Sequence, residues 1–404
     1  MSLKLILISP QGTLEKDGKL HKPLITELCT AVDRLAKKGA RVALWSNRAW
    51  KVNQTKPLHE YLSERTQQPV EAVGVAHGNF PARSRSGSVD PILAKFKVSR
   101  CQTILVGNND EDLRAGVNNK LLLVRPDWYG VKNEYGFSVK SIAELERFCT
   151  IFGFRQHPIY WSISDGPLRM DAMGPYSTKI KAYAGFGFDA LQAAKHEQGS
   201  LAFWHRLIVS SLYFSDLIAS VDYISSYPGH SVGLPLRAID EVMIALGKCF
   251  RKPFFPDLIV RHTVAAKSAY TAASAKTFQN QVNTVRLNAY PHPYGGTEAR
   301  KSALSLKGKV VLVVDDICTH GRSLDTARRY IEAAGGKALL FAWLKTINTS
   351  FLAMDPRPKL KPFQVNQLPA EPNSVSYSYH DCIVADEAPA EIASLLDQYK
   401  SWTV

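Results

Sequence analysis

The residues best suited to chemistry lie within a single stretch, residues 310–324. Its first five residues are apolar and predict a buried strand, and two carboxylates, Asp315 and Asp316, follow it directly. In open α/β sheets, ligands bind beyond the carboxyl ends of the strands. Two adjacent carboxylates can accept hydrogen bonds from two neighbouring hydroxyl groups. The pair therefore suits the diol of a sugar.

A loop rich in hydroxyl groups and glycine follows the acids, and we name it the phosphate loop. It consists of Cys318, Thr319, His320, Gly321, Arg322 and Ser323. Beyond it, apolar residues at helical spacing predict a helix over 324–334 that ends at two glycines. Backbone N–H groups at the start of a helix lie at the positive end of its dipole and bind phosphate. Acids and loop together predict a site for ribose 5-phosphate, and a buried strand with a solvated acidic turn is the alternative.

This order of strand, two acids and hydroxyl-rich loop resembles the signature of the type I phosphoribosyltransferase family. The match departs from the family at His320 and Arg322, where small residues are usual, and these changes either add positive charge or mark altered activity. The resemblance implies that the two aspartates hold the ribose hydroxyls of 5-phosphoribosyl 1-diphosphate (PRPP) and that the phosphate loop holds its 5-phosphate. It also implies Mg²⁺, with Asp315 and Asp316 as indirect ligands, because a hard cation normally bridges a pyrophosphate leaving group.

A wider region, roughly residues 180–346, resembles the ComF-type branch of that family. In it, a predicted strand over 222–226 leads into a pyrophosphate loop. That loop comprises Ser226, Tyr227, Pro228, Gly229 and His230. A mobile basic segment is implied further on, and its candidate cations are Arg261 and Lys267. They would close over the leaving group as its negative charge grows, and the alternative is that both are solvated surface cations.

The acceptor of the phosphoribosyl group has no recognisable binding motif. The resemblance implies that a variable hood recognises it, within residues 180–221 or in the C-terminal tail. Four aromatic residues of this hood could stack on a base, although such residues more often belong to a core: Phe203, Trp204, Tyr213 and Phe214.

The N-terminal part of the chain resembles the haloacid dehalogenase (HAD) superfamily but lacks its acids. Three segments carry the resemblance, residues 5–14, 42–47 and 104–112. The degenerate site they form comprises Ser9, Gln11, Ser46, Asn47, Asn108 and Asp112. Ser9 replaces a carboxylate nucleophile that also ligates Mg²⁺, Gln11 replaces a general acid but cannot exchange a proton, and Asn108 replaces a metal-binding acid. We therefore expect no phosphatase activity, and a role in binding, oligomerisation or regulation. The stand-ins for the superfamily's phosphate-binding lysine are Arg83, Arg85 and Lys95.

Both halves of the chain alternate short apolar runs with amphipathic segments, which is typical of α/β folds with parallel sheets. We predict an N-terminal HAD-like Rossmannoid parallel sheet and a C-terminal type I phosphoribosyltransferase parallel sheet. The expected boundaries are 1–150 for the HAD-like domain, 151–178 for a linker, 179–350 for the phosphoribosyltransferase domain and 351–404 for a C-terminal extension. The linker is inferred from its prolines and glycines.

Composition limits the class of protein and its partners. The 404 residues carry a net charge of +14, but no run of lysine and arginine marks a nucleic-acid arm. The six cysteines lack a CxxC pair, which argues against a zinc cluster and for a reducing compartment. The longest apolar stretch, 201–221, is interrupted by charged residues, so we expect a cytoplasmic protein with no membrane partner. Nucleic-acid contact and a homo-oligomer stay open.

These observations favour one function and leave two alternatives. The leading hypothesis is a PRPP-dependent phosphoribosyltransferase that acts on an unknown base or nucleotide-type acceptor. The first alternative is a PRPP- or nucleotide-sensing module without turnover. The second is a nucleic-acid-linked component of bacterial competence or defence.

Overall fold

The computed structural model of the protein describes residues 2–130, 134–233, 238–265, 277–296 and 302–402. These residues form two α/β units, each built on its own sheet, as predicted. The strands of the first unit are β1 (Leu5–Ile8), β2 (Glu15–Lys16), β3 (Lys19–Leu20), β4 (Arg41–Trp45), β5 (Lys51–Val52), β6 (Lys56–Pro57), β7 (Glu71–Val73), β8 (Thr103–Val106), β9 (Leu122–Pro126) and β10 (Phe137–Val139). Its helices are α1 (Lys22–Lys37), α2 (Leu58–Ser63), α3 (Asp90–Phe96), α4 (Asp110–Asn119) and α5 (Ile142–Phe148).

The main sheet of the first unit is parallel, with the strand order β10-β9-β8-β1-β4-β7. Successive side chains of a strand point to opposite faces. Leu5 and Leu7 accordingly pack in one core with α3 and α4, and Ile6 and Ile8 pack in another with α1 and α5. Because the strands are parallel, the carboxyl ends of β1, β4 and β8 meet at one edge. The three HAD-like segments come together there.

The second unit continues the chain from residue 161. Its strands are β11 (Trp161–Asp165), β12 (Leu168–Tyr176), β13 (Tyr223–Ser226), β14 (Ile259–Arg261), β15 (Val285–Leu287), β16 (Val310–Cys318), β17 (Lys337–Thr346), β18 (Phe351–Met354) and β19 (Ser374–Tyr377). Its helices are α6 (Lys181–His196), α7 (Leu201–Phe214), α8 (Ala238–Phe250), α9 (Phe278–Val282), α10 (Arg322–Ala333) and α11 (Ala388–Ser401).

The five-stranded sheet of this unit has the order β11-β12-β17-β16-β13. β12, β17, β16 and β13 are parallel, and β11 is an antiparallel edge strand. The register pairs Val314 of β16 with both Ser226 of β13 and Phe341 of β17. The carboxyl ends of the four parallel strands therefore lie at one edge, where the two acids, the phosphate loop and the predicted pyrophosphate loop meet.

The structure differs from the expected linker at residues 151–178. Half of that segment forms β11 and β12, which belong to the second sheet. Gly166 and Pro167 make the two-residue turn of the hairpin that joins these strands, and Gly174 and Pro175 lie inside β12. Glycine and proline are typical both of linkers and of tight hairpin turns, so local composition could not distinguish a linker from a hairpin.

The two units share one hydrophobic core. Phe152, which follows α5, packs on Phe203 of α7 with ring centroids 5.6 Å apart. The Tyr213 hydroxyl of α7 donates a hydrogen bond to the carbonyl oxygen of Arg100 in the first unit at 2.7 Å. The four aromatic hood residues named above, 203, 204, 213 and 214, are at most 2% exposed. They are core residues and do not face a ligand.

Two further features bear on the class of protein. Within the described ranges, no helix combines the length and apolar character that a membrane span requires. All six cysteines are buried and none forms a disulfide.

Candidate functional site

The two acids lie near the carboxyl end of β16 and point to opposite sides of the sheet. They continue the alternation of residues 311–314 between the two cores of this unit. Asp316 is 8% exposed, and its Oδ1 accepts a hydrogen bond from the Ile317 N–H at 2.6 Å. Asp315 lies on the side of the sheet that carries Tyr227. Burial raises the pKa of Tyr227 to about 12, and the nearby Asp315 carboxylate adds to that rise. A sugar bound to both acids must therefore lie across the sheet edge.

The phosphate loop has the backbone geometry of an anion site. Gly321 is the N-cap of α10 and has a φ of +72°. A Cβ at this position would lie 2.0 Å from Cε2 of Phe351, so only glycine fits between the loop and β18. Within the described part of the chain, no acceptor is bonded to the backbone N–H groups of Thr319, Arg322 and Ser323. These groups can therefore donate hydrogen bonds to a phosphate at the positive end of the helix dipole.

Lys345 of β17 supports the phosphate loop from within the core. Its side chain is fully buried, and Nζ donates hydrogen bonds to the Thr319 carbonyl oxygen and the Thr349 hydroxyl, each at 2.6 Å. Nζ also lies 5.3 Å from the ring centre of Trp161 and 5.7 Å from that of Tyr379. Burial lowers the pKa of Lys345 to about 8. Nothing in the sequence singles out this residue, because its spacing from the loop carries no local signal.

Three side chains of the phosphate loop, those of Cys318, His320 and Arg322, contact other parts of the protein. Cys318 is 3% exposed in the core, and burial raises its pKa to about 12, so only its backbone can face a phosphate. His320 Nδ1 lies 3.2 Å from the carbonyl oxygen of Ser350, which joins the loop to the segment before β18. The guanidinium carbon of Arg322 lies 5.8 Å from the ring centre of Phe278.

The predicted pyrophosphate loop follows β13 at the same sheet edge. The Ser226 hydroxyl donates a hydrogen bond to Asp240, and the Tyr227 hydroxyl donates one to Gln281 Oε1 at 2.7 Å. Both side chains are buried and serve to hold the loop in place. Its remaining residues, Pro228, Gly229 and His230, are partly exposed. They are the part of the loop that can meet a ligand.

Arg261 does not behave as a mobile cation. It ends β14 and is 7% exposed, and its guanidinium donates hydrogen bonds to the Gly229 carbonyl oxygen and to Thr284 Oγ1. It therefore fixes the predicted pyrophosphate loop to β14 and is not available to close over a leaving group. The second predicted cation, Lys267, lies outside the described residues.

A different cation reaches the acids. Lys195, in the last turn of α6, forms an ion pair between its Nζ and Asp316 Oδ2. Its side chain is 47% exposed, whereas that of Asp316 is 11% exposed. Tyr176, at the end of β12, is next to both residues: burial raises its pKa, the Asp316 carboxylate adds to the rise and the Lys195 ammonium opposes it. Sequence reasoning missed Lys195, since 121 residues separate it from Asp316.

In the first unit, Arg83 occupies the centre of the degenerate HAD-like site. Its guanidinium donates a hydrogen bond to Ser9 Oγ at 2.6 Å and lies 2.8 Å from Asp112 Oδ1. A further ion pair joins it to Glu111 at 3.0 Å. Gly107 permits this arrangement, because a Cβ there would lie 2.4 Å from Cγ of Asp112. Of the three predicted stand-ins for a phosphate-binding lysine, Arg83 is the one in contact with the site residues.

The other residues of that site lie at its rim or turn away from it. Asn47 Oδ1 accepts a hydrogen bond from the Arg83 backbone N–H at 3.1 Å. Ser46 Oγ accepts hydrogen bonds from residues 48 and 50 of its own loop. Asn108 Nδ2 donates to the Pro126 carbonyl oxygen at 2.7 Å. Gln11 contributes its carbonyl oxygen to Asn109 Nδ2, at 3.2 Å.

Comparison with known families finds a match in the second unit. Residues 257–350 match the family described as phosphoribosyl transferase domain. The chain carries a phosphoribosyl transferase domain. The matched segment includes both acids, the phosphate loop and Lys345, while Lys195 and the predicted pyrophosphate loop precede it. The phosphoribosyl transferase domain supports PRPP-dependent transfer in general.

Solved structures that resemble the chain are HAD-type proteins that align with the N-terminal region. A HAD-superfamily hydrolase of subfamily IA from Geobacter sulfurreducens is 9% identical, covers 36% of this chain and 98% of its own, and has a TM-score of 0.27. The cobalt-bound deoxy-D-mannose-octulosonate 8-phosphate phosphatase of Haemophilus influenzae is 13% identical, with coverages of 38% and 92% and a TM-score of 0.25. A HAD-superfamily hydrolase from Ehrlichia chaffeensis is 13% identical, with a TM-score of 0.24; the match covers 30% of this chain and 55% of that one. No curated protein shows significant similarity to the chain.

Proposed function

We propose that the chain transfers the phosphoribosyl group of PRPP to a base or nucleotide-type acceptor and releases pyrophosphate. A second part of the proposal is that the HAD-like unit is catalytically inactive. One observation carries the first part: Asp315 and Asp316, on opposite sides of the sheet, and the N–H groups of the phosphate loop all lie at the carboxyl edge of the second sheet. Carboxylates for a diol beside donors for a phosphate are the complement of a ribose 5-phosphate.

In the proposed reaction, the bond between ribose C1 and the pyrophosphate oxygen breaks, and that oxygen keeps the electron pair. A nucleophilic atom of the acceptor forms the new bond to C1. Asp315 and Asp316 accept hydrogen bonds from the ribose hydroxyls, and the backbone N–H groups of Thr319, Arg322 and Ser323 bind the 5-phosphate. Fixing both ends of the ribose presents C1 to the acceptor and lowers the entropic part of the barrier.

The residues present fit a Mg²⁺ ion that is held chiefly by the substrate. Among the residues with assigned positions, no three metal-ligating side chains lie together. Mg²⁺ typically keeps several waters and binds one or two carboxylates together with substrate phosphates. Asp315 and Asp316 are the carboxylates that would take part. The ion would offset the negative charge of the leaving pyrophosphate.

Calorimetry with PRPP and Mg²⁺ tests the site, and measurement of released pyrophosphate with a panel of bases tests turnover. Asp315→Ala combined with Asp316→Ala should abolish PRPP binding, whereas Asp381→Ala, which changes an exposed acid outside the site, should not. Undiminished binding in the double variant would contradict the site assignment. PRPP binding by the wild type without pyrophosphate release from any base would favour the sensing alternative.

The inactive HAD-like unit is supported by the position of Arg83. The superfamily's site requires a carboxylate nucleophile and Mg²⁺, but Ser9 has no charge and a guanidinium already neutralises Asp112. A divalent cation beside Arg83 would be repelled, so the residues present do not fit the ion. We therefore assign this unit a supporting role, since it shares its core with α7 and α8 of the second unit.

A generic phosphatase substrate tests this second part. Incubation with p-nitrophenyl phosphate and Mg²⁺ should give no turnover. Mg²⁺-dependent hydrolysis that disappears in Asp112→Asn would show that the unit is an active phosphatase.

A further inference from the structure

The ion pair between Lys195 and Asp316 occupies an oxygen that the proposed sugar site uses. Asp316 Oδ1 accepts a hydrogen bond from the Ile317 N–H of its own strand, whereas Oδ2 is paired with Lys195 Nζ. A ribose hydroxyl that takes the place of the ammonium at Oδ2 leaves Lys195 in need of another anionic partner.

PRPP supplies such a partner, whereas ribose 5-phosphate does not. The two ligands share the diol and the 5-phosphate, and they differ only in the pyrophosphate on C1, next to the hydroxyl-bearing carbons. Lys195 has a flexible four-carbon stem and a side chain that is 47% exposed, so its ammonium can move a short distance without disturbing α6. The pyrophosphate of PRPP is an anionic group with which a displaced ammonium can pair.

Two other described cations near the site do not offer this contact. Arg261 is buried and bonded to Gly229 and Thr284. Lys345 is buried beneath the phosphate loop and bonded to the Thr319 carbonyl oxygen. Lys195 is half-exposed and already touches the acid that binds the sugar.

We propose that Lys195 determines the specificity of the site for PRPP over ribose 5-phosphate, by moving from Asp316 to the pyrophosphate when PRPP binds. This inference rests on the proposed function. It places a specificity residue on α6, in the hood region, and outside both the phosphate loop and the predicted pyrophosphate loop.

Four proteins and two ligands test the proposal. Lys195→Met removes the charge and keeps the length of the side chain, Lys195→Arg keeps the charge, and Lys181→Met changes an exposed lysine at the start of the same helix. Calorimetry in the presence of Mg²⁺ gives the Kd of PRPP and of ribose 5-phosphate for each variant and the wild type. Thermal unfolding confirms that each variant is folded.

The expected pattern separates a specificity role from a structural one. Lys195→Met should bind PRPP at least about tenfold more weakly and ribose 5-phosphate no more weakly than the wild type does. Lys195→Arg should restore most of the PRPP affinity, and Lys181→Met should match the wild type. PRPP affinity that is unchanged or higher in Lys195→Met would overturn the proposal. An equal loss for both ligands would also overturn it, because it would mean that Lys195 only supports Asp316.

Failure of the proposed function gives a different result. If the wild type binds neither ligand, both proposals fall. If the wild type binds PRPP and Lys195→Met behaves identically, only the role of Lys195 is refuted.

Discussion

Arg83 Nη1 lies 2.8 Å from Asp112 Oδ1, and the side chains of both residues are at most 2% exposed. The same guanidinium contacts Ser9, the residue in the position of the superfamily's nucleophile. One buried cation thus links the carboxyl ends of β1 and β8. Since a buried charge without its partner is costly, removal of Arg83 alone should destabilise the first unit strongly.

Removing the guanidinium should destabilise the protein. We expect Arg83→Met to lower the free energy of unfolding by about 3–5 kcal/mol at pH 7, because Asp112 would remain buried and unpaired. Arg85→Met changes an exposed neighbour and should cost less than about 0.5 kcal/mol. Asp112→Asn added to Arg83→Met should recover part of the loss. Chemical denaturation measures all four proteins, and equal losses for the two arginine variants would contradict the structural role of Arg83.

Asp112 should also give the protein a pH-dependent stability component. Burial raises the pKa of Asp112 from 3.8 to about 6, against the opposing effect of Arg83. Between these values the folded protein binds a proton that the unfolded chain has released, so stability from this group is full below pH 3.8 and is lost as the pH rises through about 6. The difference in free energy of unfolding between the wild type and Asp112→Asn should therefore change across this window and level off above it. A constant difference from pH 4 to pH 7 would count against the raised pKa.

Deprotonation of Lys345 should make PRPP binding depend on pH in the alkaline range. Its ammonium donates to the Thr319 carbonyl oxygen, and burial lowers its pKa from 10.5 to about 8. Deprotonation removes a donor and a charge beneath the phosphate loop, so PRPP affinity should fall as the pH rises through about 8. The free energy of unfolding should instead rise with pH between pH 8 and 10.5, because there the unfolded chain binds more protons than the folded one.

Lys345→Met provides the comparison for that prediction. Its PRPP affinity should be weak and should lack the wild-type change near pH 8. Calorimetry at several pH values measures this, with Lys337→Met, an exposed position on the same strand, as the control. A pH dependence of PRPP binding that persists in Lys345→Met would exclude this lysine as its origin.

Gly321 should tolerate no side chain. In Gly321→Ala the Cβ would lie 2.0 Å from Cε2 of Phe351, and φ is +72°. We expect a loss of about 1–3 kcal/mol in the free energy of unfolding, together with loss of PRPP binding. Gly308→Ala is the matched control, since Gly308 has a φ of +71° but open space around its Cβ. If both alanine variants bind PRPP like the wild type, the packing of Phe351 on the loop has no functional role.

The local elements were predictable because their signals are local. The helix expected over 324–334 after the phosphate loop was found within two residues of those bounds, and the strand before the acids begins at Val310 as expected. An exception is β16, which continues through both acids to Cys318. Extension of the strand explains why Cys318 points into the core, an orientation that depends on pairing with β17.

The partners of the site residues were not predictable in the same way. Arg83 was named only as one of three stand-ins, and Lys195 and Lys345 were not named at all. Each makes its contact with a residue distant in sequence, and an isolated basic residue carries no pattern that reveals which distant carboxylate or carbonyl it meets. Arg261 is the opposite case: the sequence suggested a cation that contacts the ligand, but the residue is buried and structural because β14 pairs with β15.

The chemistry-bearing residue types and their order along the chain belong to the sequence itself. An apolar strand, two acids, a glycine-containing loop and an amphipathic helix predict a ribose-phosphate site, because each of these signals is local in the sequence. Tertiary structure alone decided which cations complete the two sites, because sheet pairing and the shared core bring together side chains far apart in sequence. It placed Lys195 on Asp316 and Arg83 on Asp112.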